Sequence, residues 1–252
     1  MSLPKLIDTG IYAATYWSAV SAFTLGWGFR ATGRQNVPRH GPALIVSNHQ
    51  SFLDPVLIGA AAPRRLTYLA RSSLFDHPFL AGLIRHFSAV PIDRGFGKEG
   101  LQTVLAQLHQ GRAVLMFPEG ERTHSGDVQP LKPGVSLLIR RLTCPIIPAA
   151  VAGCYQSWPR HQAFPIPEPI SLPPEGRSLA VAFGPAIDPA TYQGQDRDTV
   201  LQNLRQQIIL AKLAAEQIRR RSNHSRCETG RSMWADRRKP VALTPREPYD
   251  RE

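Results

Sequence analysis

Residues 43–61 read ALIVSNHQSFLDPVLIGAA, and this stretch decides the fold class. The apolar run ALIVS is typical of a buried strand, and the polar residues NHQS that follow it indicate a turn. The next nine residues are mostly apolar and are long enough for a short helix. The stretch therefore predicts a strand at 43–47, a turn, and a helix at 53–61.

The same alternation continues along the chain. Short apolar runs predict further strands at 66–70, 113–117, 146–153 and 179–183. Longer periodic segments between and after them predict helices at 79–87, 99–110, 135–141 and 200–221. Alternating strands and helices are typical of an α/β fold with a mostly parallel central sheet flanked by helices. Six prolines in residues 158–174 predict a loop.

The N-terminal segment carries no charged residue between positions 9 and 29. Its aromatic residues recur at helical spacing, with Tyr12, Tyr16, Phe23 and Trp27 on one stripe. Because Trp and Tyr favour the boundary between lipid and water, residues 1–30 are predicted to form an aromatic helix at a membrane interface. A single membrane span and a helix packed on its own domain are the alternatives.

The chain has 252 residues and a net charge of +11, of which residues 219–252 contribute ten basic and five acidic side chains. Residues 31–218 are predicted to form the main domain, and 219–252 a basic, mostly disordered tail. The tail is either simply solvated or a tether to anionic membrane lipid. Nucleic acid is not an expected partner, because the folded part has no recognised nucleic-acid-binding motif.

Cysteine and histidine usage excludes two kinds of site. The three cysteines have no CxxC spacing, which excludes a disulfide scaffold and favours a reducing compartment. The eight histidines form no ligand set with Cys or Asp. No metal and no cofactor are predicted.

His49 and Asp54 follow the first predicted strand and are five residues apart, with four residues between them. Five residues of a continuous helix turn through about 140°, so the two side chains meet only if His49 lies in the turn and Asp54 begins the helix. In that arrangement Asp54 orients the imidazole, and His49 acts as a base. The alternative is that Asp54 only caps the helix and His49 is a polar loop residue.

Three other segments carry candidate binding residues. In VPIDRG (90–95), Arg94 is predicted to lie in a turn, and its guanidinium suits a phosphate. In FPEGERT (117–123), the loop follows a buried strand, and Gly120 permits close backbone approach. Lys132, in the turn KPG, either adds a cation to this site or merely starts the next helix.

Four blocks occur in the order NHQSFLD, residues 69–94, FPEGERT and CPIIP. Together they resemble the glycerolipid acyltransferase family, in particular the 1-acylglycerol-3-phosphate acyltransferases. The resemblance implies that 31–218 is an acyltransferase domain and that His49 is a general base partnered by Asp54. It implies an acceptor site with Arg94, Glu119, Gly120 and Arg122, in which both arginines face phosphate. It also implies that Pro148 lines the acyl or acceptor pocket.

The implied reaction moves a fatty acyl group from acyl-CoA or acyl-carrier protein to the hydroxyl of a lysophospholipid. The first-choice acceptor is 1-acylglycerol-3-phosphate, with other lysolipids or amino-lipids as alternatives, on the cytoplasmic face of an anionic membrane. Glu121 departs from the family pattern, in which Thr or Ser is common, and this bears on the identity of the acceptor. Two other classes are weighed: a lipid hydrolase, disfavoured because the chain has no G-x-S-x-G, and a non-catalytic membrane adaptor.

Overall fold

The computed structural model describes residues 3–92 and 98–220 of the chain. Within them lies one seven-stranded sheet in the order β1-β7-β6-β2-β5-β3-β4. All neighbouring strands are parallel except β6 and β7, which are antiparallel. The strands are β1 (Arg30–Thr32), β2 (Ala43–Ser47), β3 (Thr67–Arg71), β4 (Ala89–Ile92), β5 (Ala113–Met116), β6 (Ile146–Ala152) and β7 (Ala180–Phe183).

Helices cover both faces of the sheet. The α-helices are α1 (Leu3–Trp27), α2 (Asp54–Ala61), α3 (Pro78–His86), α4 (Lys98–His109), α5 (Gly134–Ile139), α6 (Cys154–Ser157) and α7 (Arg197–Ile218). Side chains of a strand alternate between faces, and β2 divides its residues accordingly. Ala43 and Ile45 pack in the core with α1 and α2, whereas Leu44 and Val46 pack with α4, α5 and α7.

The predicted α/β class is confirmed, and most predicted elements lie within three residues of the observed ones. Two of the observed strands, β1 and β4, were not among the predicted ones. β1 has only three residues, too few to produce a pattern in the sequence. β4 contains Pro91 and was not predicted, since the segment 90–95 was interpreted only as placing Arg94 in a turn; it is an edge strand, a position where a proline is tolerated.

The aromatic stripe of α1 faces the protein itself. Phe23 is buried in the core, and the ring centroid of Tyr12 lies 6.2 Å from that of Phe87. The Arg65 guanidinium lies 3.8 Å above the Tyr12 ring. The side chains that α1 presents to solvent are others, among them Trp17 and Leu25. Among the described residues, no helix is both long and apolar enough to cross a membrane.

Residues 158–174, called the strap below, contain neither helix nor strand, as the prolines predict. The strap is fastened to the end of α1: Trp27 donates its indole N–H to the Ile166 carbonyl at 2.8 Å, and Ile170 donates its N–H to the Leu25 carbonyl at 3.0 Å. The domain boundaries at 30 and 218 remain predictions, and residues 221–252 of the predicted tail lie outside the described part of the chain.

Candidate active site

Two neighbouring parallel strands bring the predicted motifs together. β2 and β5 are paired from Ala43 with Ala113 to Val46 with Met116, so their carboxyl ends meet at one edge of the sheet. His49 lies in the turn after β2, and residues 117–123 form the loop after β5. Loops at the carboxyl ends of parallel strands are where α/β proteins place functional groups.

His49 and Asp54 are in contact. Asp54 is the first residue of α2, and its Oδ2 lies 2.8 Å from Nδ1 of His49. The carboxyl group is fully buried, whereas the imidazole retains 19% of its surface. An ionised carboxylate only accepts hydrogen bonds, so the pairing places the imidazole proton on Nδ1 and the lone pair on Nε2. The geometry therefore suits a base acting through Nε2.

Asp54 also organises the turn itself. Its Oδ2 accepts the N–H of Gln50 at 2.5 Å and of Ser51 at 2.8 Å. The same oxygen thus orients His49 and closes the turn before α2, and α2 has no side-chain capping hydrogen bond, the alternative role that the sequence left open for Asp54. The other oxygen, Oδ1, is buried and has no hydrogen-bond partner among the described residues. Burial, followed by the nearby Asp54 charge, raises the pKa of the Cys154 thiol.

The loop after β5 holds the backbone of His49 on both sides. Glu119 accepts the His49 N–H through Oε1 at 3.1 Å, and Thr123 donates its N–H to the His49 carbonyl at 2.7 Å. Phe117 stacks on the imidazole, with ring centroids 4.1 Å apart and planes 17° from parallel. The position of His49 is thereby fixed by contacts with the backbone, the Glu119 side chain and the Phe117 ring together.

A buried amide fastens the same turn to β6 on the opposite side. Asn48 donates Nδ2–H to the Val151 carbonyl at 3.2 Å, and its Oδ1 accepts the Val151 N–H at 2.9 Å. β2 is flanked by β5 and β6, so His49 is tied to both neighbouring strands. These hydrogen bonds restrict the imidazole of His49 to a narrow range of positions.

Glu119 is buried beneath the turn. Burial raises the pKa of its carboxyl from the usual 4.5 to about 8, and the Asp54 charge acts in the same direction. The N–H groups of Gln129 and His49 and the charge of Lys212 oppose this rise. Glu119 therefore supports His49 from within the protein, and its second oxygen, Oε2, has no hydrogen-bond partner among the described residues.

Arginine side chains gather beside the histidine. The Arg122 guanidinium lies 3.7 Å above the ring of Phe52, an exposed residue between His49 and Asp54. Burial lowers the pKa of Arg122, and the charges of Arg160 and Arg71 lower it further, whereas Asp54 raises it. Guanidinium groups close enough to repel one another form a site suited to an anion.

Gly120 and Lys132 are close together. Gly120 has φ +79°, which favours glycine, and a Cβ atom there would lie 3.0 Å from Cε of Lys132. Lys132 donates its backbone N–H to the Pro118 carbonyl at 2.9 Å, so its side chain lies along the loop that holds His49.

The structure does not bring Pro148 to His49, and Arg94 is not among the residues that it describes. Pro148 is buried within β6, in register with Val46 and packed near Gly184, and so lies below the edge of the sheet. Its pocket-lining role stays a prediction. Arg94 lies outside the described residues, and so its phosphate role also stays a prediction.

The sequence did not reveal several residues of this site. Phe117 and Asn48 are within the quoted motifs, but their contacts depend on which strands are neighbours. Arg160 lies in the strap, far from every motif, and its Nη1 is 3.5 Å from Oε2 of Glu121. Nothing in the sequence of a proline-rich loop indicates that an arginine within it contacts a loop that follows a strand much earlier in the chain.

Comparisons with known proteins show which proteins the chain is similar to. The profile of a family described as Acyltransferase matches residues 28–152. A 1-acyl-sn-glycerol-3-phosphate acyltransferase of Bacillus subtilis is 30% identical over 52% of this chain and 65% of its own length. A lyso-ornithine lipid O-acyltransferase of Pseudomonas aeruginosa is 30% identical over 78% of this chain and 76% of its own.

A solved structure shares the fold. The 1-acyl-sn-glycerophosphate (LPA) acyltransferase of Thermotoga maritima superposes with a TM-score of 0.69 at 19% identity. The match covers 86% of this chain and 83% of that one. The chain spans just under two thirds of the Bacillus relative, and 46% of a yeast 1-acyl-sn-glycerol-3-phosphate acyltransferase to which it is 30% identical.

Proposed function

Because this chain belongs to the acyltransferase family, we propose that it transfers a fatty acyl group from a thioester to the hydroxyl of a lysolipid, most readily 1-acylglycerol-3-phosphate. The observation that carries the proposal is the 2.8 Å contact between His49 Nδ1 and the fully buried carboxylate of Asp54. That contact leaves Nε2 as the basic atom at the edge of the sheet.

The chemistry needs no enzyme nucleophile. Nε2 of His49 accepts the hydroxyl proton of the acceptor as its oxygen attacks the thioester carbonyl. The C–O bond forms, the C–S bond breaks, and the thiolate leaves with the proton returned by the imidazolium. Asp54 stabilises the imidazolium during this exchange. A general base contributes roughly 10²–10⁴-fold, so positioning of the two substrates must supply much of the remaining acceleration.

The phosphate of the acceptor is assigned to the arginines beside His49. Arg122 rests on Phe52 within range of the Arg160 and Arg71 charges, and guanidinium groups bind phosphate through paired hydrogen bonds. Glu119, which is buried, and Gly120, at positive φ, shape the loop that carries Arg122. Arg94 and Lys132 remain predicted contributors to the same site.

A second acceptor class, the amino-lipids, is favoured by one observation. Glu121 precedes Arg122, is exposed, and lies 3.8 Å from Nε2 of His124 and 3.5 Å from Nη1 of Arg160. A carboxylate among cations suits a headgroup that carries both an ammonium and an acidic group. The relative from Pseudomonas, whose name specifies an ornithine lipid, matches more of this chain than the Bacillus enzyme does.

The proposal also covers where the protein acts and which molecule supplies the acyl group. A lysolipid acceptor lies in a bilayer, so α1 and the positive charge of the chain are expected to hold the domain on the cytoplasmic face of an anionic membrane. The donor is an acyl thioester, either acyl-CoA or acyl-carrier protein.

The deciding experiment uses purified protein, labelled acyl-CoA or acyl-carrier protein, and a panel of lysolipids with products separated by mass. His49→Ala should abolish transfer, whereas His109→Ala, at an exposed histidine at the end of α4, should retain it. Arg122→Ala should raise KM for phosphorylated acceptors more than it lowers kcat.

Two outcomes would contradict the proposal. Near-normal transfer by the His49→Ala protein would remove its basis. Release of fatty acid at full rate when the acceptor is omitted would identify a hydrolase instead. Faster transfer to an amino-lipid than to any phosphorylated acceptor would select the second acceptor class.

A further inference from the structure

The strap exposes several large apolar side chains to solvent. Eleven large hydrophobic side chains are exposed in the described part of the chain, and three of them, Phe164, Ile170 and Leu172, lie in the strap. Phe164 is 80% exposed, and Leu25 at the end of α1 is exposed beside Ile170. Exposed apolar residues concentrated in one segment indicate an interaction surface.

The backbone of the strap is held firmly from the protein side. Arg220 donates from Nη2 to the Leu172 carbonyl at 2.7 Å and from Nη1 to the Pro169 carbonyl at 3.3 Å. The Trp27 indole holds the Ile166 carbonyl, and the Trp158 indole holds the Gln162 carbonyl at 3.0 Å. The apolar side chains are therefore presented by an ordered scaffold that already satisfies many of its own polar groups.

Residues 165–170 read PIPEPI, and all of their backbone N–H groups donate to carbonyls of other segments of the protein. Ile166, Glu168 and Ile170 donate their N–H groups to carbonyls of Ser157, Gly26 and Leu25 at 2.7–3.0 Å. The three alternating positions are prolines, which have no N–H. The outward edge of this segment thus carries no backbone donor, so it can enter an apolar layer without leaving one unpaired.

The strap also reaches the candidate active site. Trp158 begins it, and its ring centroid lies 5.7 Å from that of Phe52, which stands between His49 and Asp54. The opposite end of the strap is fastened to α1 at Leu25. A layer that receives the strap therefore lies beside the entrance through which an acceptor reaches His49.

We propose that Phe164, Ile170, Leu172 and Leu25 form a lipid-docking surface that inserts into the bilayer interface and holds the His49 entrance against it. A lipid surface is the occupant because the exposed groups are apolar, the outward edge lacks backbone N–H donors, and Arg160, itself part of the strap, adds a cation for anionic headgroups. The inference rests on the proposed function, since a lipid acceptor makes the bilayer the partner.

The first test measures partition of the full chain onto vesicles of phosphatidylcholine and phosphatidylglycerol. Phe164→Asp combined with Leu172→Asp should weaken partition by about tenfold or more, because two apolar side chains no longer enter the interface. Leu137→Asp is the matched control: Leu137 is on α5, at the opposite face of the sheet, and is 57% exposed, as is Leu172. The control should partition like the unmodified protein.

A second measurement locates the strap even where α1 alone retains the protein on vesicles. In a Cys227→Ser background, a polarity-sensitive dye is attached through Phe164→Cys or, as control, Leu137→Cys; Cys144 and Cys154 are buried. Vesicles should shift the emission of the dye to the blue at 164 and leave it unchanged at 137. Unchanged emission at 164, or equal weakening of partition by the control, would overturn the proposal.

Activity separates the remaining outcomes. The strap variant should transfer acyl groups normally to acceptor dispersed in detergent but poorly to acceptor in vesicles. Loss of transfer from acyl-carrier protein in detergent, with vesicle partition intact, would identify a protein-docking surface and overturn the lipid assignment. Strap-dependent vesicle binding by a protein that acylates no acceptor would instead refute the proposed function and leave the docking surface standing.

Discussion

Replacing Glu119 by glutamine should remove a pH dependence from the stability of the protein. The carboxyl is buried, with a pKa raised to about 8, and Oε1 accepts the His49 N–H at 3.1 Å. Glutamine keeps an acceptor oxygen at this position but does not titrate. The comparison therefore isolates the cost of ionising one group beneath the catalytic turn.

The sign follows from the proton count. In the unfolded chain the carboxyl loses its proton near 4.5, whereas in the folded protein it keeps the proton up to about 8. Between these values the unfolded state binds fewer protons, so stability falls as pH rises. Each pH unit costs up to about 1.4 kcal/mol, which amounts to about 5 kcal/mol over the whole interval. Below 4.5 and above 8 this group adds no further change.

The assay is urea unfolding followed by tryptophan fluorescence at several pH values between about 5 and 8. The unfolding free energy of Glu119→Gln relative to the unmodified protein should rise steadily with pH. All other titrating groups are common to both proteins, and Glu175→Gln, at an exposed carboxylate, serves as control. A difference that stays constant with pH, or that shrinks, would refute the burial argument.

Two further substitutions test how the turn is held. Gly120→Ala and Gly41→Ala, both at positive φ, should each lose on the order of 1 kcal/mol in urea unfolding, but only Gly120→Ala should lower activity; equal activity would contradict the role of the loop. Asn48→Ala should lose about 2–4 kcal/mol, because the buried N–H and carbonyl of Val151 are left without partners, whereas Asn203→Ala, at an exposed position of α7, should be nearly neutral; similar losses for the two variants would contradict the role of Asn48.

The sequence predicted the parts of the fold that depend on local pattern. The apolar runs that became β2, β5 and β6 are buried on both faces, so they stand out as unbroken stretches. The spacing of His49 and Asp54 allowed only one arrangement in which they meet, and the structure has that contact. β4 was not predicted because Pro91 is typical of a turn. A proline is tolerated in an edge strand, but which strand lies at the edge depends on how the whole sheet assembles.

The orientation of α1 could not be predicted for a physical reason. A stripe containing Tyr12, Phe23 and Trp27 is equally suited to a bilayer and to the core of the protein, since both are apolar. The structure packs that stripe on the domain and exposes Trp17 and Leu25. Which face is free depends on α2, Phe87 and the strap, and these lie far along the chain.

Under the proposed function, the buried residues of the site and those at its entrance serve different steps: the buried residues hold the base, and those at the entrance bind the acceptor. Asp54 and Glu119 are buried and hold His49 through hydrogen bonds, and the buried Asn48 fastens the same turn to Val151, so substitutions at these positions should act mainly on kcat. Arg122 is half-buried and Glu121 is exposed, so under the proposed function an altered charge at either position should change binding of a headgroup without moving His49. Under the proposed function, a different side chain at the entrance should change the acceptor while the same histidine performs the transfer, and Glu121 is the position at which this should be tested first.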